Sequence, residues 1–228
     1  MIIKSKKLCS YVRILFIILS CFLLAATKGY AQGQKAEAFQ QKTKSSLFEG
    51  MTLGVDLVGP IMYKASDCGD FQASLQTNIK GKYFPAVELG YGKAQKEYDD
   101  EKVSYAAKAP FVRVGCDMNI LRNKHDDYLL LVGMRYGLTS FDFDTTPLDV
   151  AEGVVPETMS EKCSLHWIEL VFGVDAKVWG PLHMGWSFRY RKRMSVSECQ
   201  NKPLYAPGYG KADNGSQFMA LYTIGINI

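Results

Sequence analysis

Apolar and polar residues alternate in eight separate segments, and this pattern constrains the fold more than any other feature of the sequence. In residues 128–141, every second position from Tyr128 to Leu138 is large and apolar, with Gly133, Arg135 and Gly137 between them. Side chains on a strand point alternately to opposite faces, so each segment is predicted to be a two-faced strand. The segments are 51–59, 71–80, 83–92, 110–119, 128–141, 165–178, 182–193 and 217–228. The pattern predicts an all-β chain.

The connections between these segments alternate between long and short. Long connections are predicted at 60–70, 93–109, 142–164 and 194–216, with shorter turns between them. Outer-membrane barrels have short periplasmic turns and longer extracellular loops, and a tilted strand of roughly 9–11 residues crosses the bilayer. We therefore predict an eight-stranded antiparallel up-and-down transmembrane β-barrel over residues 50–228.

The polar faces of the segments carry charges of both signs and many glycines, whereas the apolar faces carry almost no charge. An eight-stranded barrel has an interior just wide enough for side chains, which favours acids and bases that pair with one another there. A soluble lipocalin-like barrel remains the alternative, although it needs an apolar cavity for its ligand. The predicted interior charge network consists of Asp56, Glu88, Arg113, Arg135, Glu169, Asp175, Lys177, Arg189 and Arg191.

The N-terminus has the pattern of an export signal. Lys4 and Arg13 precede an apolar run at 14–26, and small residues follow at Gly29 and Ala31. This arrangement predicts a secretory signal peptide over residues 1–31, followed by a periplasmic segment over 32–49. The sequence ending at Cys21 loosely resembles a lipoprotein cleavage box, but the apolar run continues beyond it, so lipidation is the less favoured alternative.

Net charge argues against nucleic-acid binding. The whole chain carries +4, but removal of residues 1–31 leaves 22 basic and 23 acidic residues, so the positive excess lies in the removable segment. No cysteine or histidine spacing indicates a metal site, and no cofactor is expected.

Pairing residues whose numbers sum to 362, around the turn at Gly180, places Cys163 opposite Cys199. We predict a disulfide between these two cysteines.

Five segments carry a further signal: GVDLVGP at 54–60, YFPAVELG at 83–90, WIEL at 167–170, MGWSFRY at 184–190 and PLYAPGYG at 203–210. They resemble an uncharacterised family of Gram-negative outer-membrane barrel proteins whose domain has no known function. The resemblance covers most of residues 50–228, and the architecture is similar to the small OmpA- and OmpX-type barrels. It implies an outer-membrane location and transfers no active site.

The sequence favours a structural or surface-interaction role for the extracellular loops, because loops on a rigid scaffold usually carry binding. The expected partners are outer-membrane lipid and lipopolysaccharide, together with an extracellular ligand or protein at the loops, and we expect a monomer. A narrow channel is one alternative. A lipid-modifying enzyme that uses His166 near Ser164 is the other, although an outward histidine at a strand end is more often an interfacial polar residue. We therefore assign no catalytic residue.

Overall fold

A computed structural model describes residues 47–99, 101–121, 127–149, 155–197, 199 and 201–228. The predicted signal peptide and most of the predicted periplasmic segment lie outside these residues. The first strand begins at Phe48, two residues before the predicted start of the barrel domain.

The described chain consists of ten strands and one helix. Eight strands are long, and two short strands form a separate hairpin between the seventh and the last long strand. The elements are β1 (Phe48–Asp56), α1 (Val58–Ala65), β2 (Cys68–Ile79), β3 (Tyr83–Tyr98), β4 (Val103–Asn119), β5 (Tyr128–Pro147), β6 (Met159–Trp179), β7 (Leu182–Val196), β8 (Tyr205–Ala206), β9 (Gly210–Lys211) and β10 (Ser216–Asn227).

The eight long strands form one antiparallel sheet that closes on itself as a ring. The order around the ring is β1, β10, β7, β6, β5, β4, β3 and β2, so the first and last strands meet. Their pairing runs from Thr52 opposite Asn227 to Asp56 opposite Thr223. The predicted all-β fold with eight antiparallel strands is confirmed.

The ring has two unlike ends. At the turn end lie the start of β1, the end of β10 and the β2–β3, β4–β5 and β6–β7 connections. At the loop end lie the other connections, but two predicted loops are largely strand. β3 and β4 pair up to Tyr98 opposite Val103, and β5 and β6 pair up to Thr145 opposite Met159. The predicted loops at 93–109 and 142–164 are therefore longer than the loops in the structure.

The predicted strands end too early because the apolar side chains change from the outer to the inner face of the strands towards the loop end. On β5, Tyr136 and Leu138 point outward, but farther along the strand Phe141 and Phe143 are buried inside the ring while Asp142 is exposed. The alternation continues with the apolar face turned inward. A sequence reading that expects the apolar face outside therefore ends the strand too early.

Most of the helix α1 lies in the predicted loop at 60–70, but the helix begins at Val58, so the predicted strand at 51–59 ends earlier than expected, at Asp56. Asp56 holds the first turn of this helix, because the Gly59 backbone N–H donates to its Oδ2 at 2.7 Å and that of Val58 donates to its Oδ1 at 3.3 Å. The helix packs closely on β2, where a Cβ added to Gly69 would meet the backbone of Tyr63. Among the described residues, no helix is both long enough and apolar enough to span a membrane.

Candidate functional site

The centre of the ring is filled by a layer of buried charged side chains. We call Glu88, Arg113, Asp117, Arg135, Glu169, Arg189 and Arg191 the charge layer. Glu88 accepts from Arg189 Nη1 at 2.6 Å and Arg113 Nη1 at 3.0 Å, and its other oxygen lies 3.3 Å from Arg135 Nε. The carboxylate thus joins side chains from β3, β4, β5 and β7.

Glu169 forms the second centre of the charge layer. Its Oε1 lies 3.0 Å from Arg113 Nε and 2.8 Å from Arg191 Nε, and it also accepts from the Trp167 indole N–H at 2.7 Å. Its Oε2 lies 3.3 Å from Arg189 Nη1. Glu88 and Glu169 therefore share Arg113 and Arg189, which makes the layer one connected network.

Asp117, Gln72 and Gln76 belong to this network although the sequence prediction omitted them. Asp117 binds Arg135 through two oxygens, at 2.6 and 2.5 Å, and accepts from Gln76 Nε2 at 3.0 Å. Arg113 Nη1 donates to Gln72 Oε1 at 2.5 Å. Asp117 has the same parity on β4 as Arg113, so strand alternation could have identified it.

Three predicted network residues lie outside the charge layer. Asp56 is buried but binds the first turn of α1. Asp175 pairs with His183 closer to the turn end, where its Oδ1 lies 2.7 Å from the histidine Nδ1. Lys177 is exposed at that end and makes no ion pair within the part of the chain described. These three residues lie at different depths in the ring, and the alternation of the strands does not predict this depth.

The loop end of the interior is closed by residues 203–213, which we call the plug. The plug contains the β8–β9 hairpin, and Tyr209 within it is fully buried. Its backbone carbonyls bind the charge layer: Gly208 O accepts from Arg113 Nη2 at 2.9 Å and Tyr209 O from Arg191 Nη1 at 3.0 Å. These bonds help to satisfy a layer in which four arginines face three carboxylates.

An aromatic cluster surrounds the plug. Tyr105 donates from its hydroxyl to Tyr205 O at 2.6 Å, and the Trp167 and Tyr209 rings meet with centroids 5.8 Å apart. Gly208 has a φ of +77°, and a Cβ there would overlap the ring of Phe111, so this turn needs glycine. The sequence analysis assigned residues 203–210 to the long connection at 194–216 and did not place them inside the ring.

The predicted disulfide between Cys163 and Cys199 is present, with the two Cα atoms 6.1 Å apart. The register that led to it was wrong: most β6–β7 pairs sum to 360, as in Glu169 opposite Arg191, and a bulge near Trp167 shifts the pairing. Beyond that bulge the pairs sum to 361, as in Leu165 opposite Val196, so Cys163 and Cys199 miss this register by one. The bond joins β6 to the chain that follows the end of β7.

On the turn-end side of the charge layer there is a cavity of about 90 Å³. Its lining includes Glu88, Asp117, Arg135 and Arg189, together with Asp175. A cavity of this size is large enough to hold ordered water beside the charged groups. Apolar side chains such as Leu131 and Val171 complete its lining.

The outer face of the ring presents a belt of exposed apolar side chains, which we call the apolar band. It has aromatic residues near both edges, such as Tyr91 and Tyr190 towards the loop end and Tyr83 and Tyr128 towards the turn end. All eight ring strands contribute to it. Well-exposed members are Leu53, Val55, Phe71, Val87, Leu89, Val114, Met118, Val132, Met134, Leu138, Leu170, Phe172, Phe188, Phe218 and Ile226.

The polar pair considered for catalysis lies on this outer face. His166 Nδ1 lies 2.9 Å from the Tyr136 hydroxyl, while Ser164 donates from its hydroxyl to Ser140 at 3.3 Å. The two side chains thus have separate hydrogen-bond partners. Within the described ranges, no group of three or more His, Cys, Asp or Glu side chains is arranged to hold a metal ion.

Comparison with protein families matches residues 11–228 to DUF6048, a domain of unknown function. The chain belongs to the DUF6048 family. The match spans all ten strands and α1, so the charge layer and the plug are parts of the DUF6048 domain. No curated protein matches the chain significantly.

Proposed function

We propose that this DUF6048 protein is an outer-membrane β-barrel whose loop end faces the exterior and serves as a contact surface. The proposal depends on one observation, the apolar band that encircles the ring while charged side chains fill its centre. A water-soluble barrel of the lipocalin type would have the opposite arrangement, with an apolar interior and a polar exterior.

The height of the apolar band supports this proposal. On β5 the band extends from Tyr128 to Leu138, ten residue steps along one strand. At about 3.3 Å per residue and a tilt of about 40°, this corresponds to roughly 25 Å along the barrel axis. The apolar belt of outer-membrane barrels has about this height.

The filled interior supports a contact role rather than transport. The charge layer crosses the ring from β3 to β7, and the plug covers it from the loop end. The described parts of the loop-end connections, including residues 148–149, 155–158 and the plug, are then the parts of the protein that meet the exterior. The short turns, the start of β1 and the end of β10 would lie in the periplasm.

The first experiment is membrane fractionation of cells that express the full chain, with electrophoresis of heated and unheated samples. We expect the protein in the outer-membrane fraction, solubilised by detergent, with unheated protein migrating differently from heated protein. A periplasmic protein that stays soluble without detergent would disprove the proposal.

Orientation can be tested with an epitope tag inserted in intact cells. A tag placed after Glu157, between β5 and β6, should bind antibody from outside. A tag at Gly180, in the β6–β7 turn, should bind only after permeabilisation. The opposite result would place the loop end in the periplasm and remove the proposed contact surface.

A further inference from the structure

Two lysines face each other on the outer wall, directly beyond the apolar band. Lys93 on β3 pairs with Lys108 on β4, one step past the pair of Tyr91 and Pro110 in the outward row. Cβ atoms of directly opposed residues lie roughly 5 Å apart, and like charges at this spacing destabilise a sheet. The pair therefore favours an anion between or beside the two ammonium groups.

Among the described residues, no carboxylate forms an ion pair with either lysine, although Asp142 is the other cross-strand neighbour of Lys108. The next outward positions, Gln95 and Ala106, are uncharged. The Lys93 ammonium instead lies over the ring of Tyr63, 4.5 Å from its centroid.

An aromatic ladder lies beneath the lysines on the same outer face. The Tyr63 and Phe71 rings meet edge to face with centroids 5.7 Å apart, and Phe71 stacks on Tyr91 at 6.2 Å. Tyr63 belongs to α1, whose last turn also carries the exposed Lys64. Aromatic rings and lysines in this order are typical of a membrane interface, with rings at headgroup level and cations next to phosphates.

We infer that Lys93 and Lys108, supported by Lys64, bind the phosphate group of an anionic glycolipid in the outer leaflet. The inference rests on the proposed function, because it needs the loop end to face outward. A lipid fits better than a free anion, since the aromatic ladder and the apolar band continue directly below the lysines. Sugar rings and acyl chains of the same molecule would pack there, while the phosphate is held above.

The test uses the full mature protein in a mild detergent and measures binding of diphosphorylated lipid A by native mass spectrometry. The double variant Lys93→Gln/Lys108→Gln should bind about twenty- to thirty-fold more weakly, at about fivefold per lysine. The matched control Lys82→Gln/Lys177→Gln removes the same charge at the turn end and should bind like wild type. Circular dichroism checks that both variants fold.

Two results would overturn the inference. If the Lys93/Lys108 variant binds lipid A as tightly as the control, the lysines do not hold the phosphate. If dephosphorylated lipid A binds as well as the diphosphorylated form, or inorganic phosphate competes with equal affinity, the site is not one for an anionic lipid. Failure of the barrel proposal would appear separately, as a protein that needs no detergent.

Discussion

Glu88 shows how much a single side chain contributes to the interior. It bonds to three arginines that come from different strands, and all four side chains are buried. A buried network of this kind is favourable only while every charge keeps its partners, because desolvation penalises any charge left unpaired. The sequence could predict these residues from parity and charge, but it could not show which arginine each carboxylate would bind.

We expect Glu88→Gln to lower the free energy of unfolding by about 3–5 kcal/mol, because it leaves buried arginines without a counterion. Urea unfolding in lipid vesicles, followed by tryptophan fluorescence, would measure the change. Glu97→Gln is the matched control, since it makes the same substitution on the same strand at an exposed position. Equal stabilities of the two variants would show that the charge layer contributes little.

Gly137 is required by packing rather than by backbone conformation. A Cβ added there would fall within the ring of Trp167, a fully buried side chain that also bonds to Glu169. We expect Gly137→Ala to destabilise the protein by about 1–3 kcal/mol through overpacking. Gly215→Ala should be neutral in the same unfolding assay, because nothing lies within 4 Å of its added Cβ. A neutral Gly137→Ala would mean that Trp167 can move aside.

At the scale of whole elements, strand alternation predicted eight strands and their antiparallel order, but not their full length. The extensions at the loop end have small or aromatic residues inside, such as Ala107 and Phe143, and polar residues outside. This pattern reverses the one that identified the strands. The helix α1 was missed because Val58–Ala65 is too short to show a clear helical period.

The disulfide ties the chain after β7 to β6 and lies beside the aromatic cluster around the plug. We expect replacement of Cys163 and Cys199 by serine to lower the free energy of unfolding by about 2–4 kcal/mol, because the cross-link restricts the unfolded chain. Cys116→Ser is the control, since this cysteine is free and faces outward.

Thiol counting tests the same element independently. In denatured, unreduced mature protein, Cys68 and Cys116 should react with maleimide, and all four cysteines should react after reduction. Four reactive thiols before reduction would show that the disulfide does not form in cells.

At the scale of the whole molecule, two separate barriers close the ring. The plug covers the loop end, and the charge layer crosses the centre with side chains from opposite walls. No single strand pattern indicates the plug, because residues 203–213 have neither the length nor the alternation of a ring strand. Its position depends on contacts with Arg113 and Arg191 that only the folded ring brings together.

We expect no stable ion channels when the protein is reconstituted in planar bilayers. Replacement of the plug by a short Gly-Ser linker should still give no steady conductance, since the charge layer remains. Reproducible openings of the wild-type protein would instead favour the narrow-channel alternative. Openings confined to the linker variant would show that the plug is the sole barrier.

On the proposed membrane location, the position where the apolar residues change from the outer to the inner face of a strand marks the membrane surface, and the sequence alone records this position. This change of face lies between Tyr91 and Lys93 on β3, between Pro110 and Lys108 on β4, and between Leu138 and Asp142 on β5. On the same proposal, this position would show, in any relative of this chain, how far each strand extends beyond the bilayer. The length of the strands beyond the apolar band can then be estimated from the sequence before a structure is determined.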